Sequence, residues 1–199
     1  MEKIQMVDLK TQYKKIELEV DEAIKEVITT SNFINGRAVK EFASDLENYL
    51  SVKHVIPCGN GTDALQIALM ALNLKPGDEI LTSTFTFIAT AEVIALLGLT
   101  PVFVDVDPDN FNISIDEIRK NITPKTKVII PVHLYGQCAN MEEITKIAKE
   151  KGLIIIEDTA QAIGSNYKFK DGSTKSAGTI GDIGTTSFFP SKNLGCYGD

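Results

Sequence analysis

Two residue types, a lysine and an aspartate, sit where together they could run amine–carbonyl chemistry. The lysine lies in Thr185-Thr186-Ser187-Phe188-Phe189-Pro190-Ser191-Lys192-Asn193-Leu194-Gly195, among small and polar residues after a short apolar run. Pro190 cannot donate a ladder hydrogen bond and so stops the strand. Gly195 then releases the chain. Taken by itself, Lys192 reads as a solvated loop lysine. Asp158 changes that reading, because it ends the run Leu153-Ile154-Ile155-Ile156-Glu157-Asp158. A carboxylate at the C-terminal edge of a buried strand and a lysine on a later strand-end loop can face one cofactor. The pairing suits pyridoxal phosphate, with the lysine amine on its aldehyde and the aspartate on its pyridinium nitrogen.

Other strand ends carry residues that fit the same ligand. Cys58-Gly59-Asn60-Gly61-Thr62-Asp63-Ala64 ends an apolar run and opens an apolar helix. Glycines let the backbone approach an anion, and the free amides of a helix start point at it, which suits a phosphate. The same residues satisfy the dinucleotide fingerprint G-x-G-x-x-A, and a nicotinamide-dependent sugar oxidoreductase is the alternative. That alternative needs an acid at the end of the next strand. The next strand ends in Thr82-Ser83-Thr84, while Asp78 and Glu79 stand at its beginning. One phosphate is therefore preferred to a dinucleotide, and a glycine turn that serves only helix packing is the other reading. Phe85, at a strand–helix junction, can offer its ring face to a pyridine, whereas Phe87, inside an apolar helix, reads as core. His133, in Pro131-Val132-His133-Leu134-Tyr135-Gly136-Gln137, is placed to line a cofactor floor, and Tyr135 less so. Glu157 and Asp158 are adjacent on one strand, so their side chains point to opposite faces and only one can meet the cofactor.

The elements that must position these residues are legible from the apolar pattern. Helical spacing runs over 13–30, through Ile16, Val20, Ile24 and Val27, and again over 38–50. Between them Phe33, Ile34 and Asn35 break the pattern. From Lys53 onward short apolar runs alternate with helices. Strands are predicted at 55–57, 79–82, 102–104, 127–132, 153–157 and near 183–188, and helices at 62–73, 87–97, 115–120 and 141–150. Such alternation means an α/β fold with a mostly parallel sheet sandwiched by helices. The predicted division is a helical segment over 1–52 and a cofactor-binding domain over 53–199. Ligands in sheets of this kind sit at the strands' carboxyl ends.

Composition narrows the partners. The net charge of −7 argues against nucleic acid and anionic membranes, which both need a basic surface. The three cysteines, Cys58, Cys138 and Cys196, are scattered, and with only His54 and His133 as imidazoles no metal site is expected. Scattered thiols fit a reducing cytoplasm. Residues 1–6 show no apolar signal segment, and no run reaches membrane-spanning length.

The stretch Asp158-Thr159-Ala160-Gln161-Ala162, followed by Ser187-Phe188-Phe189-Pro190-Ser191-Lys192-Asn193-Leu194-Gly195, resembles the DegT/DnrJ/EryC1/StrS family. These are nucleotide-sugar aminotransferases that use pyridoxal phosphate on a fold type I, aspartate-aminotransferase-like scaffold. The resemblance implies catalytic roles for Lys192 and Asp158. It implies cofactor contacts from Gly61, Thr62, Asp63, Phe85, His133, Gln161 (to the phenolic oxygen) and Ser187 (to the phosphate), and a substrate role for Phe33, Ile34 and Asn35. Lys192 in place of the histidine of the related sugar dehydratases implies transamination. Leu134-Tyr135-Gly136-Gln137-Cys138-Ala139 and Ser191-Lys192-Asn193-Leu194-Gly195-Cys196-Tyr197-Gly198-Asp199 resemble most the enzymes that aminate a UDP-linked 3-keto-hexuronic acid, with glutamate as the usual donor. Cell-surface polysaccharide or glycan biosynthesis and a cytoplasmic homodimer are implied with them. Family members are longer, so the chain reads as an N-terminal half with the small C-terminal domain absent. The expectation is that the chain alone lacks appreciable transaminase activity, as an inactive remnant would, since Arg37 and Arg119 are its only arginines for a donor carboxylate.

Overall fold

The computed structural model describes residue 4 and residues 6–198, so the reading of residues 1–6 as signal-free falls partly outside it, as does Asp199. The chain divides into two compact units, residues 1–57 and 58–199. The first contains α1 (Leu9–Thr30) and α2 (Arg37–Leu50). Asp8 caps α1 by accepting the Thr11 amide at 3.0 Å, and Ser31 ends it in a left-handed conformation. Arg37 reaches back from α2 to Glu26 on α1. Residues 55–57 form no strand: the Val55 amide donates to the Glu47 carboxylate at 3.0 Å, and Pro57 has no amide to give.

The second unit is built on a five-stranded parallel sheet in the order β2-β1-β3-β4-β7. Its strands are β1 (Glu79–Ser83), β2 (Thr100–Val104), β3 (Thr126–Ile130), β4 (Ile154–Asp158) and β7 (Ile183–Thr185). Helices α3 (Gly61–Met70), α4 (Ala89–Leu96), α5 (Ile115–Asn121) and α6 (Met141–Lys151) cover its faces. On one face Ile80, Val128, Ile130 and Ile156 pack with Leu65 and Leu69 of α3 and with Val93 and Ile94 of α4. On the other, Leu81, Ile129 and Ile155 pack with Ile118 of α5 and with Met141, Ile144 and Ile147 of α6. Burial on both faces is why β3 and β4 carry the β-branched runs Val128-Ile129-Ile130 and Ile154-Ile155-Ile156. Asn60, Ser114 and Asn140 cap α3, α5 and α6 through the amides three residues on.

Two further features depart from the sequence pattern. A short antiparallel hairpin, β5 (Asn166–Lys168) with β6 (Thr174–Ser176), leads from β4 toward β7. The helix expected over 87–97 starts only at Ala89, which leaves Phe87 in the preceding loop and 67% exposed rather than in the core. The sheet's β2 edge contains Pro101. The Thr100 amide and the Val104 carbonyl bond toward β1. Backbone groups of alternate residues in a parallel strand face alternate sides, so the imide nitrogen of Pro101 points away from the sheet, where no donor is needed.

Candidate active site

The site forms where β3, β4 and β7 end level with one another. Val132 bridges to Asp158, and Asp158 is in register with Thr185. The Asp158 amide donates to Pro131 O at 2.9 Å, and its carbonyl accepts from the His133 amide at 3.0 Å. The Thr159 amide donates to Thr185 O at 2.8 Å. Three strand ends are thereby pinned around one residue, which holds its side chain in a fixed place at the carboxyl edge.

The adjacent acids face opposite ways, as strand geometry requires. Glu157, fully buried, accepts the backbone amides of Ile180 and Gly181 at 2.6 Å each and of Gly178 at 3.0 Å. His133 Nε2 lies 2.8 Å from it. Because His133 Nδ1 accepts the Ala139 amide at 3.0 Å, the ring proton rests on Nε2 and is donated to Glu157. Burial pushes the Glu157 carboxyl up, but the His133 and backbone hydrogen bonds together outweigh it and hold it below the ordinary carboxylate value.

Asp158 is 5% exposed and has fewer partners. The Thr90 hydroxyl donates to its Oδ2 at 2.8 Å, and the Ala160 amide donates to Oδ1 at 3.2 Å. Here burial wins: it raises the carboxyl above its ordinary value despite the hydrogen bonds from Thr90 and Ala160 and the charge of Lys192. A raised, incompletely paired acid at a strand's C-terminal end is the kind of group that active sites are built around.

Lys192 follows a tight turn closed by its own amide on Phe189 O at 2.8 Å, and the Cys196 amide returns to Phe188 O at 2.8 Å. Gly195 sits so close to the Pro190 carbonyl that any Cβ there would collide with it. The loop is therefore compact, and it brings Lys192 near enough to Asp158 for its charge to favour the carboxylate. Ser187, buried just before this loop, faces the start of α3. A Cβ on Gly61 would lie 2.7 Å from Ser187 Cβ and 3.2 Å from its Oγ. Only a glycine admits this approach, so the helix start and the serine hydroxyl lie side by side. The Asp63 amide is taken by the Asn60 side chain at 2.8 Å. The amides of Gly61 and Thr62 have no acceptor within the helix.

The remaining predicted residues distribute as follows. Phe85 is half-exposed at the end of β1, its ring 5.9 Å from that of Phe111. Gln161 Oε1 accepts the Tyr135 amide at 2.7 Å, while the Tyr135 side chain is exposed. His133 is wholly buried, with both ring nitrogens committed to Glu157 and Ala139. Phe33, Ile34 and Asn35 form the turn between α1 and α2, with Phe33 and Ile34 exposed and Asn35 left-handed at φ 49°. Glu79, the acid a dinucleotide would need at the opposite edge, is held at the start of β1 by the Thr126 hydroxyl at 3.2 Å and by that of Thr123. Sequence reasoning missed Thr90. Its signal is a hydroxyl inside the apolar run Ala89-Thr90-Ala91, buried to 1% exposure.

These residues fit pyridoxal phosphate. The Gly61–Ser187 cradle suits the phosphate, the raised buried acid suits a pyridinium proton, and the lysine lies near that acid. Among the described residues no cluster of His, Cys, Asp and Glu is suited to a metal ion, and no helix is long and apolar enough to cross a membrane.

Fold and site define a class first: an α/β large domain of the aspartate-aminotransferase type. More particularly, the chain belongs to the DegT/DnrJ/EryC1/StrS aminotransferase family, which it matches over residues 14–199. It is 50% identical over 196 residues to the pleiotropic regulatory protein of Geobacillus stearothermophilus, covering 98% of this chain and 51% of that one. It is 47% identical over 196 residues to the UDP-2-acetamido-2-deoxy-3-oxo-D-glucuronate aminotransferase of Pseudomonas aeruginosa, covering 98% and 53% respectively. The solved structure of NtdA from Bacillus subtilis with bound cofactor PMP superposes with a TM-score of 0.88 at 36% identity, over 100% of this chain and 44% of that one. The chain thus spans about half the length of the curated relatives it matches.

Proposed function

We propose that this chain is the cofactor-holding part of a nucleotide-sugar aminotransferase, which moves an amino group from an amino acid such as glutamate to a keto carbon of a nucleotide-linked sugar. The observation that carries the reading is the buried Asp158 carboxylate at the β4 terminus, incompletely paired and within electrostatic reach of Lys192. When bound, pyridoxal phosphate supplies an electron sink that acidifies the carbon bearing the amino group. Asp158 keeps the ring nitrogen protonated. Lys192 Nζ anchors the cofactor and, once freed, takes up and returns the proton. The amides of Gly61 and Thr62, beside Asp63, and the Ser187 hydroxyl receive the phosphate. Phe85 offers a ring face, and His133, fixed by Glu157, backs the floor. With Gln161 Oε1 taken by the Tyr135 amide, its Nε2 is left to donate to the phenolic oxygen.

A 3-keto-hexuronic acid on UDP is the substrate class, supported by the named activity of the Pseudomonas relative. The role that goes with it is cell-surface polysaccharide or glycan biosynthesis in the cytoplasm, and free Cys58, Cys138 and Cys196 accord with that compartment. The enzyme would be a homodimer. Phe33, Ile34 and Asn35 are the substrate-contacting turn in this reading. Neither arginine of the chain is free for a donor carboxylate: Arg37 pairs with Glu26 and Glu41, and Arg119 with Glu143 and Glu150. The donor's partner must then come from outside these residues, and the chain alone would show no appreciable turnover. A steady-state assay with glutamate and a keto-sugar nucleotide checks this; rates of about 1 per second or more would overturn it.

The cofactor assignment has a direct test. After incubation with pyridoxal phosphate, borohydride reduction and peptide mapping should find the adduct on Lys192. Labelling of Lys168, Lys170 or Lys175 in its place would sink the assignment.

A further inference from the structure

Three helical threonines of this chain spend their hydroxyls on their own helix. Thr29 donates to Lys25 O at 2.9 Å, Thr30 to Glu26 O at 2.8 Å and Thr145 to Met141 O at 2.7 Å, the familiar local back-bond. Thr90, in the first turn of α4, does otherwise. Its hydroxyl crosses to β4 and donates to Asp158 Oδ2 at 2.8 Å, with both residues buried. The surroundings are apolar, since Ala89, Ala91, Val93 and Ile94 of the same helix are buried too. A hydroxyl bond to a carboxylate in such a place favours the charged form of the acid and fixes its plane. The other protein donor to the carboxylate is the Ala160 amide, at the longer distance of 3.2 Å.

We propose that Thr90 is a positioning residue for Asp158: its hydroxyl aims the carboxylate and keeps it charged, so that the acid can hold a protonated ring nitrogen. The proposal rests on the reading of the site as a pyridoxal phosphate pocket. Thr90 also ties two parts of that pocket together, because the short segment that carries Phe85 at the end of β1 runs directly into the turn that carries Thr90. Removing the hydroxyl leaves Asp158 with the Ala160 amide, the His133 ring, the Lys192 charge and, behind it on the strand, Glu157. None of these replaces a short, directed hydroxyl donor.

The test compares Thr90→Val, which keeps the shape and deletes the hydroxyl, with Thr90→Ser, which keeps the hydroxyl. In the cofactor-free chain, the Asp158 carboxyl is titrated by carbon-13 NMR. Its midpoint should move up in Thr90→Val and stay near the wild-type value in Thr90→Ser. A purely structural threonine would change the melting temperature without moving that midpoint. With pyridoxal phosphate added, Thr90→Val should bind about tenfold more weakly, equivalent to about 1.4 kcal/mol, and Thr90→Ser within about threefold of wild type. A valine variant that titrates and binds as wild type does would overturn the proposal. Should Thr90→Val fail to fold, Thr90→Ala takes its place in both arms. Wild-type chain that forms no adduct at Lys192 would sink the cofactor reading alone, because the NMR arm still reports whether Thr90 controls Asp158.

Discussion

On one face of the β4 terminus, Glu157 accepts three backbone amides and an imidazole N–H, and its carboxyl sits below the ordinary value. On the other face, Asp158 accepts one hydroxyl and one long amide bond, and its carboxyl sits above it. Burial is nearly equal, so burial does not separate the two. The difference is in how completely each carboxylate is satisfied. A buried charge that is fully hydrogen-bonded belongs to the frame, here the 178–181 turn and the His133 strand end. A buried charge with fewer donors keeps acceptor capacity that a ligand could use.

Substituting each acid by its amide should separate the two roles, and the largest effect is expected on the Asp158 side. Asp158→Asn cannot hold a pyridinium proton, so its pyridoxal phosphate affinity should fall on the order of 3–5 kcal/mol, the cost of breaking a buried charged pair. The cofactor-free variant should melt at or above the wild-type temperature, because the raised acid costs stability when ionised. Cofactor titration and a thermal melt read the two quantities. Near-normal affinity would show that another acid faces the ring nitrogen.

Glu157→Gln should behave in the opposite sense. An amide cannot accept from every donor now aimed at Glu157, and stability should drop by about 3 kcal/mol, the scale of lost bonds to a charged group, as read by urea unfolding. Glu157 also sets a pH dependence. Its folded carboxyl lies below the unfolded value of about 4.3, so its contribution is complete above that pH and is lost as pH falls through the folded value. Asp158 has the reverse sign: as pH rises from about 3.9 through its raised folded value, ionisation removes stability. The Gln variant should lose the rising limb of stability against pH, and the Asn variant the falling one. If both variants shift the profile the same way, the contrast between the faces is wrong.

The smallest effect is expected at the phosphate cradle. Gly61→Ala forces a methyl against Ser187 and should cost about 1–3 kcal/mol of stability as overpacking. Phosphate-bearing ligands should lose affinity as the α3 start is pushed away. An alanine variant with unchanged affinity for pyridoxal phosphate would remove this helix start from the site.

Much of this was legible in the sequence because a parallel sheet buried on both faces demands continuous β-branched runs. Ile154-Ile155-Ile156 and Val128-Ile129-Ile130 announce themselves, and the acids beyond the first run stand at the strand's carboxyl edge. Less was legible where tertiary partners decide. Residues 55–57 have strand composition, yet the Val55 amide is claimed by Glu47. Phe87 is apolar within an apolar stretch, but the helix begins two residues later and leaves it outside. The hairpin β5–β6 went unread because its strands are too short and polar to alternate visibly. Thr90 was hidden for another reason. A threonine in a helix gives no hint of which acceptor its hydroxyl finds, and here that acceptor lies on β4.

Pro101 has a consequence for behaviour at high concentration. A strand approaching β2 from outside would need amide donors from the residues whose backbones face outward, namely Pro101 and Phe103 within Thr100–Val104. Proline supplies none, so one amide is left to template an intruder, too few to hold a register. Edge-to-edge growth toward aggregates is thereby discouraged on the β2 side by one imino acid.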